Sequence, residues 1–229
     1  MAAVFDTLSE PLPRRLTAGL ARLSVALRAG QWRLAEAHGL TPTQAQALAL
    51  VAARPALRVS EVAEHLAITR PTASDTVAAL ERKRLLRRQP DPHDARASGL
   101  VLTEAGIAMA REAGDWPAAL LAVTADRPLA EQEALLRLVI KLIRGLQQRG
   151  AIAPARMCVT CRFFRPYAHP ADAAAPHHCA FVDAPFGDRH LRLDCPEQEP
   201  LLPAEAEVVW TRFYRRTARR PRTLDGDTE

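Results

Sequence analysis

The stretch from Ser60 to Gly106 constrains this chain more than any other. It opens with a short amphipathic helix that puts Val62, Ala63 and Leu66 on one face, and a brief turn through Ile68 follows. A longer helix then starts near Thr69, whose hydroxyl suits it to accept a hydrogen bond from a free N–H of the first turn. Pro71 is tolerated there because those N–H groups have no intrahelical partner. Ala73, Val77 and Leu80 recur at helical spacing and mark the buried face. Arg70, Thr72, Ser74, Asp75, Thr76, Arg82 and Lys83 are left outward or flanking. Two helices joined by a tight turn, the second polar and basic on its free face, make a helix-turn-helix pattern.

The residues that follow read as a wing. Leu85–Gln89 predicts a short strand, Pro90–Arg96 a charged, turn-rich loop, and Gly99–Leu102 a returning strand. Thr103 then opens another helix, with Glu104 in the first turn, where the helix dipole favours a carboxylate. The expected fold is mainly α with a small β-wing. It comprises a winged helix-turn-helix, a helical dimerisation region and a loop-rich cysteine segment.

The order of Leu40, Thr41, Gln44 and Leu48, then Val59–Leu66, then Asp91–Gly106, resembles the MarR family of winged-helix transcription regulators. The resemblance spans roughly residues 12 to 148. Its most specific part is Asp91-Pro92-His93-Asp94-Ala95-Arg96 followed by Leu102-Thr103-Glu104-Ala105-Gly106. Ala95 stands where the family often has Gly, and Asp75 is a second departure, since a carboxylate near phosphates needs a cytosine amine or a neighbouring Arg. The resemblance implies a homodimer on a pseudo-palindromic double-stranded DNA operator, with the second helix in a major groove and the wing in the adjacent minor groove. The DNA-binding set is then Thr69, Arg70, Thr72, Ser74, Asp75, Thr76, His93 and Arg96. An Arg at a wing tip suits the negative potential of a narrow minor groove. The plain alternatives are an Arg96 pair with Asp94 or Asp91 that shapes the wing, and a solvated His93. Trp32 and Trp116 either line a pocket for a small-molecule effector, as the resemblance implies, or pack in the core, the reading we prefer.

The rest of the chain is read around that stretch. A helix is expected from Leu12 to about Ala37, with Leu16, Leu20, Leu23 and Leu27 forming a seam. Gly39 fits a helix stop, and Thr41 or Thr43 restarts a helix that runs to Ala53. Leu129–Gln148 carries Leu135, Val139, Leu142 and Leu146 on one face, with Leu136, Ile140 and Ile143 beside it. The resemblance makes this stripe and the Leu16–Leu27 seam the dimer core; a monomer core is the bland alternative. The expected domains are 12–148 for DNA binding and dimerisation, 151–200 for a cysteine-rich metal-binding segment, and 203–229 for a basic helix and tail. That tail either holds flanking DNA phosphates or is a solvated face.

Formal net charge is +5, in keeping with a nucleic-acid partner without requiring one. No stretch has the 18 or more apolar residues of a membrane helix, and the N-terminus lacks a signal-peptide core. A cytoplasmic protein is therefore expected, where cysteines serve as metal ligands or redox sensors more often than as structural disulfides.

All four cysteines fall in one segment. Cys158 and Cys161 form a C-x2-C pair, 17 residues separate Cys161 from Cys179, and 15 separate Cys179 from Cys195. The close pair can bend two thiolates toward one centre, and a folded-back loop can bring the other two. So short a segment has a small core, and a metal centre would supply folding free energy on the order of 10 kcal/mol. Phe163, Phe164 and Phe181 beside the cysteines, and Pro196 after the last, favour an iron–sulfur cluster, whose potential depends on an apolar surround. The layout is similar to that of small iron–sulfur proteins of the high-potential type, over this segment only. The alternatives are zinc and a metal-free thiol switch, and His177 or His178 is a candidate to replace one cysteine.

No catalytic constellation appears: there is no G-x-S-x-G, phosphate loop or H-E-x-x-H, and no enzyme is expected. The leading reading is a redox- or gas-sensing regulator that uses the cluster. A second keeps the DNA binding with structural or thiolate-sensing zinc and small-molecule control. A third, of another class, is an electron-transfer or thiol-redox module.

Overall fold

The structure, a computed structural model, describes residues 9–91, 94–113 and 117–217. The chain divides by packing into two compact units, Met1–Asp126 and Arg127–Glu229.

In the first unit α1 spans Leu12–Ala37 and α2 spans Pro42–Ala53. α1 ends where Gly39 takes a left-handed φ of 64° and Leu40 N–H returns to Ala35 C=O. Thr41 caps α2 by accepting from Gln44 N–H, while the Gln44 side chain accepts from Thr41 N–H. The Leu-Thr-x-x-Gln pattern is therefore a reciprocal helix start. α3 (Val59–His65) and α4 (Arg70–Arg82) are the helix-turn-helix pair. Ala67 supplies their turn with a φ of 52°, and Ile68 N–H closes back on Ala63 C=O.

α4 ends at Arg82, just ahead of the strand expected from Leu85. Lys83 caps it and Arg84 turns left-handed, at a φ of 57°. Leu85 and Leu86 are then buried in the core, which holds the chain in a new direction. β1 (Leu86–Asp91) and β2 (Asp94–Leu102) pair antiparallel with Leu86 opposite Leu102 and Arg88 opposite Leu100. Leu57 adds a bridge to Leu100. α5 (Glu104–Ala113) follows, then a short helix unforeseen from the sequence, α6 (Ala118–Ala125), after Pro117. The core is built on Leu48, Val51, Val62, Val77, Leu80 and Leu100, none more than 1% exposed. Only the C-terminal part of α1 joins it, through Leu34 and Ala35.

The second unit begins with α7 (Leu129–Gln148). A 3-10 turn at Cys158–Thr160, a three-stranded antiparallel sheet of β3 (Phe164–Arg165), β4 (His177–Cys179) and β5 (Ala184–Phe186), and a second 3-10 turn at Asp188–His190 come next. α8 (Pro203–Thr217) closes the described chain. Its core joins Ile140 of α7 and Phe213 of α8 to Met157, Val159, Phe164 and Leu191. α7 thus packs with the cysteine segment, whereas the sequence grouped it with the winged helix. Among the described residues no helix is long and apolar enough to cross a membrane.

Candidate functional site

α4 is held by its apolar face and offers the other. Ala73, Val77 and Leu80 are fully buried. Thr69, Arg70, Thr72, Ser74 and Asp75 are exposed along the N-terminal part. Thr69 caps the helix by accepting from Thr72 N–H at 3.3 Å. Thr76 departs from the expected set. It is 8% exposed, and its hydroxyl donates to Thr72 C=O at 2.7 Å, so the helix backbone already uses it. His93 and Trp116 lie outside the described residues, as does the side chain of Arg96 and the arginine-rich tail beyond Thr217. Trp32 does not pack in the core as preferred; it is 61% exposed on α1. The chemistry on offer is a ridge of small hydroxyls, one guanidinium and one carboxylate, cut to enter a groove.

Behind the ridge, the wing is anchored by glycine. A Cβ on Gly106 would stand 1.8 Å from the Leu85 carbonyl oxygen, so only glycine allows α5 to start against the backbone that leads into β1. Thr103 completes this joint, donating its hydroxyl to Arg84 C=O at 2.7 Å and accepting from Gly106 N–H at 3.0 Å. The Leu-Thr-Glu-Ala-Gly pattern is thus a strand-to-helix corner.

In the second unit all four cysteines line one cavity of about 330 Å³. Local backbone bonds aim them there. Cys161 N–H closes the 3-10 turn on Cys158 C=O at 2.9 Å, which brings the C-x2-C pair to one side. Cys179 ends the central strand β4 and lies opposite Ala184 of β5 and Phe164 of β3. Cys195 N–H donates to Arg156 C=O at 2.9 Å, which folds the last segment back. Phe163, Phe164, Phe181 and Phe186 form the apolar lining.

The sulfurs have polar neighbours that sequence reading missed. Arg192 N–H donates to Cys158 Sγ at 3.2 Å. The Arg192 guanidinium reaches Cys195 Sγ at 3.5 Å and Glu197 Oε2 at 3.2 Å. Cys195 itself donates to Glu197 Oε2 at 3.2 Å. The only available signal was proximity in sequence to Cys195. Burial pushes the Cys158 thiol up to about 11, against the donation from Arg192 and with the neighbouring thiols adding to it. Burial also raises Cys195, aided by its bond to Glu197. Both shifts keep Cys158 and Cys195 protonated at neutral pH.

Each candidate histidine has hydrogen-bond partners away from the cysteines. His177 is fully buried; its Nδ1 accepts from Tyr167 N–H at 3.2 Å, which leaves the proton on Nε2 for Asp188 at 2.9 Å. His178 meets His169 and Asp183, each at 3.2 Å. Both rings are committed, and neither lines the cavity.

Among the described residues no group of three His, Cys, Asp or Glu side chains is arranged to hold one metal ion. Four cysteines on the wall of one cavity are a donor set for a zinc ion as much as for an iron–sulfur cluster.

Residues 38–97 match the model of the MarR family. Among solved structures, FabT of Streptococcus pneumoniae in complex with DNA is 19% identical with a TM-score of 0.52, over 59% of this chain and 97% of that one. The S. aureus MepR–DNA complex is 22% identical with a TM-score of 0.49, over 57% and 97%. YusO of Bacillus subtilis is 25% identical with a TM-score of 0.44, over 58% and 95%. Comparison with curated proteins gives no match. The elements just described and the match over residues 38–97 lead to one conclusion: the chain carries a winged helix-turn-helix similar to those of the MarR family.

Proposed function

We propose that the protein is a DNA-binding transcription regulator of the MarR type, acting as a homodimer, that senses redox state or a reactive gas through an iron–sulfur cluster held by Cys158, Cys161, Cys179 and Cys195. The observation that carries the DNA-binding half is α4 itself. Ala73, Val77 and Leu80 are wholly buried while Thr69, Arg70, Thr72, Ser74 and Asp75 are exposed. Such a helix enters a major groove, its N-terminal residues meeting base edges and phosphates. FabT and MepR, with this fold, were each solved with DNA. The homodimer reading draws on apolar surface left uncovered: Leu16, Leu20 and Leu23 on α1 are between 47% and 59% exposed.

The cluster reading draws on the cysteine cavity. The four thiolates would hold the group, the phenylalanine lining would keep water from it, and the Arg192 N–H would hydrogen-bond one sulfur. The group supplies a reversible one-electron change and a target for reactive gases. Binding requires the four thiols to lose their protons, so uptake weakens as pH falls. A coupling of 1–3 kcal/mol between the centre and DNA would change affinity by roughly 5- to 150-fold.

The test is selection of duplexes from a randomised pool with oxygen-free protein, followed by mobility shifts under reducing and oxidising conditions with wild type and Cys161→Ser. Recovery of a pseudo-palindromic site supports DNA reading. Affinity that stays the same in both conditions, in wild type as in the variant, removes the sensing claim.

A further inference from the structure

Helix α7 has two apolar faces with different fates. Leu136, Ile140 and Ile143 pack into the core of the cysteine-bearing unit. Leu135, Leu138, Leu142 and Leu146, one residue round the helix, are between 45% and 57% exposed. A helix that met only its own unit would need the first face alone. The second repeats the character of the exposed α1 stripe, and a second copy of this chain is its occupant under the homodimer reading.

On the flank of the core face away from the leucine stripe stands Arg137, one-fifth exposed, whose guanidinium pairs with Asp188 Oδ2. The other carboxylate oxygen accepts from Nε2 of the buried His177 at 2.9 Å. These three residues belong to three different pieces of the chain. His177 opens β4, the strand that ends in Cys179. Asp188 opens the segment that runs through Arg192, the donor to Cys158, to Cys195. Arg137 is the contribution of α7. The His177 ring is boxed in by Tyr167 at 4.8 Å, Phe164 at 5.3 Å, Phe186 at 5.5 Å and Phe213 at 5.9 Å, so it has no room to swing. Burial raises the Asp188 carboxyl, but the His177 and Arg137 bonds outweigh it and leave it below the ordinary carboxylate range. The pair is therefore an ionised bridge inside the unit, where breaking one side is costly.

We propose that Arg137–Asp188–His177 is the link through which the state of the cysteine site reaches α7 and hence the face of α7 that a second copy covers. The proposal rests on the cluster reading above. One carboxylate is fixed at once to the strand bearing Cys179 and to the segment bearing Cys195. Any change that relaxes those two ligands moves Asp188, and Asp188 moves Arg137. The apolar packing of Leu136, Ile140 and Ile143 holds α7 in place; the bridge makes its register depend on the cysteines.

The test is hydrogen–deuterium exchange across residues 129–148 in the full-length protein. It compares protein as purified without oxygen with protein stripped by an oxidant and chelator, and assays iron and sulfide on each. In wild type, stripping is expected to speed exchange in α7 by about tenfold or more. Arg137→Gln is expected to keep wild-type iron, sulfide and spectrum, yet lose that difference. Arg137→Lys, which retains the charge, should restore part of it, a rescue that also guards against a folding defect. Arg137→Gln with a full wild-type difference overturns the link while leaving the cluster reading intact. Wild-type protein without iron and sulfide overturns the cluster reading and the link with it.

Discussion

The carbonyl oxygen of Leu85 lies 1.8 Å from the place a Cβ on Gly106 would take. This contact fixes how the strand β2 hands over to α5 behind α4. Gly106→Ala is expected to destabilise the winged-helix unit by about 2 kcal/mol or more, because the obstacle is backbone and has no rotamer to yield. Thermal or denaturant unfolding checks this. A variant as stable as wild type would contradict the tight corner.

The exposed and buried residues of α4 should separate cleanly in binding. Arg70→Ala is expected to weaken DNA binding across sequences and lower the salt dependence by about one counterion if it holds a phosphate. Thr76→Val removes a hydroxyl that already serves Thr72 C=O, so affinity should stay within about twofold of wild type, at a stability change of about 1 kcal/mol. Equilibrium binding at several salt concentrations measures both. A large loss from Thr76→Val with nothing lost from Arg70→Ala would reverse the assignment of the face.

Ala67 sits in the left-handed region, with a φ of 52°, in the turn between α3 and α4. A methyl-bearing residue there costs on the order of 1 kcal/mol relative to glycine. Ala67→Gly should therefore stabilise the unit by up to about 1 kcal/mol, offset in part by the freer unfolded chain. A denaturant midpoint that falls would show the strain to be absent.

The Cys158 thiol gives a pH test of the metal-free protein. Its value is pushed up to about 11 from an ordinary 9.0 by burial first of all. Below pH 9.0 folded and unfolded chains both keep the proton, and stability from this group is fully present. As pH rises further the unfolded chain ionises first, so the folded state loses on the order of 2–3 kcal/mol by about pH 11. Urea melts of stripped protein at about pH 8 and about pH 10.5 should show the fall, and Cys158→Ser should show less of it. An equal fall in the variant would place the titration elsewhere.

The sequence was most legible where local chemistry sets the structure. Thr41, Thr69 and Gly39 announce helix ends by side-chain bonding and backbone freedom, and those ends lie where expected. The apolar spacing of Ala73, Val77 and Leu80 marked the buried face of α4. Thr76 misled because a hydroxyl reads as polar whether it faces solvent or its own helix. The double stripe of α7 was visible as excess width, but periodicity carries no information about which neighbour covers which face. Asp188 and Arg137 were invisible for a related reason: 50 residues separate them, and only folding brings the carboxylate to the guanidinium. In the cysteine segment the four side chains that the spacing grouped line one cavity. Arg192 and Glu197, which complete its polar rim, carry no motif of their own.

The most direct test of the account is the ultraviolet–visible spectrum, with iron, sulfide and zinc analysis, of full-length protein purified without oxygen. A brown protein is expected, with broad absorption near about 400 nm, iron and sulfide in equal amounts, and loss of both in Cys161→Ser. A colourless protein with one zinc per chain would contradict it. The cysteine segment would then be a zinc-stabilised module, and the signal would have to be sought elsewhere.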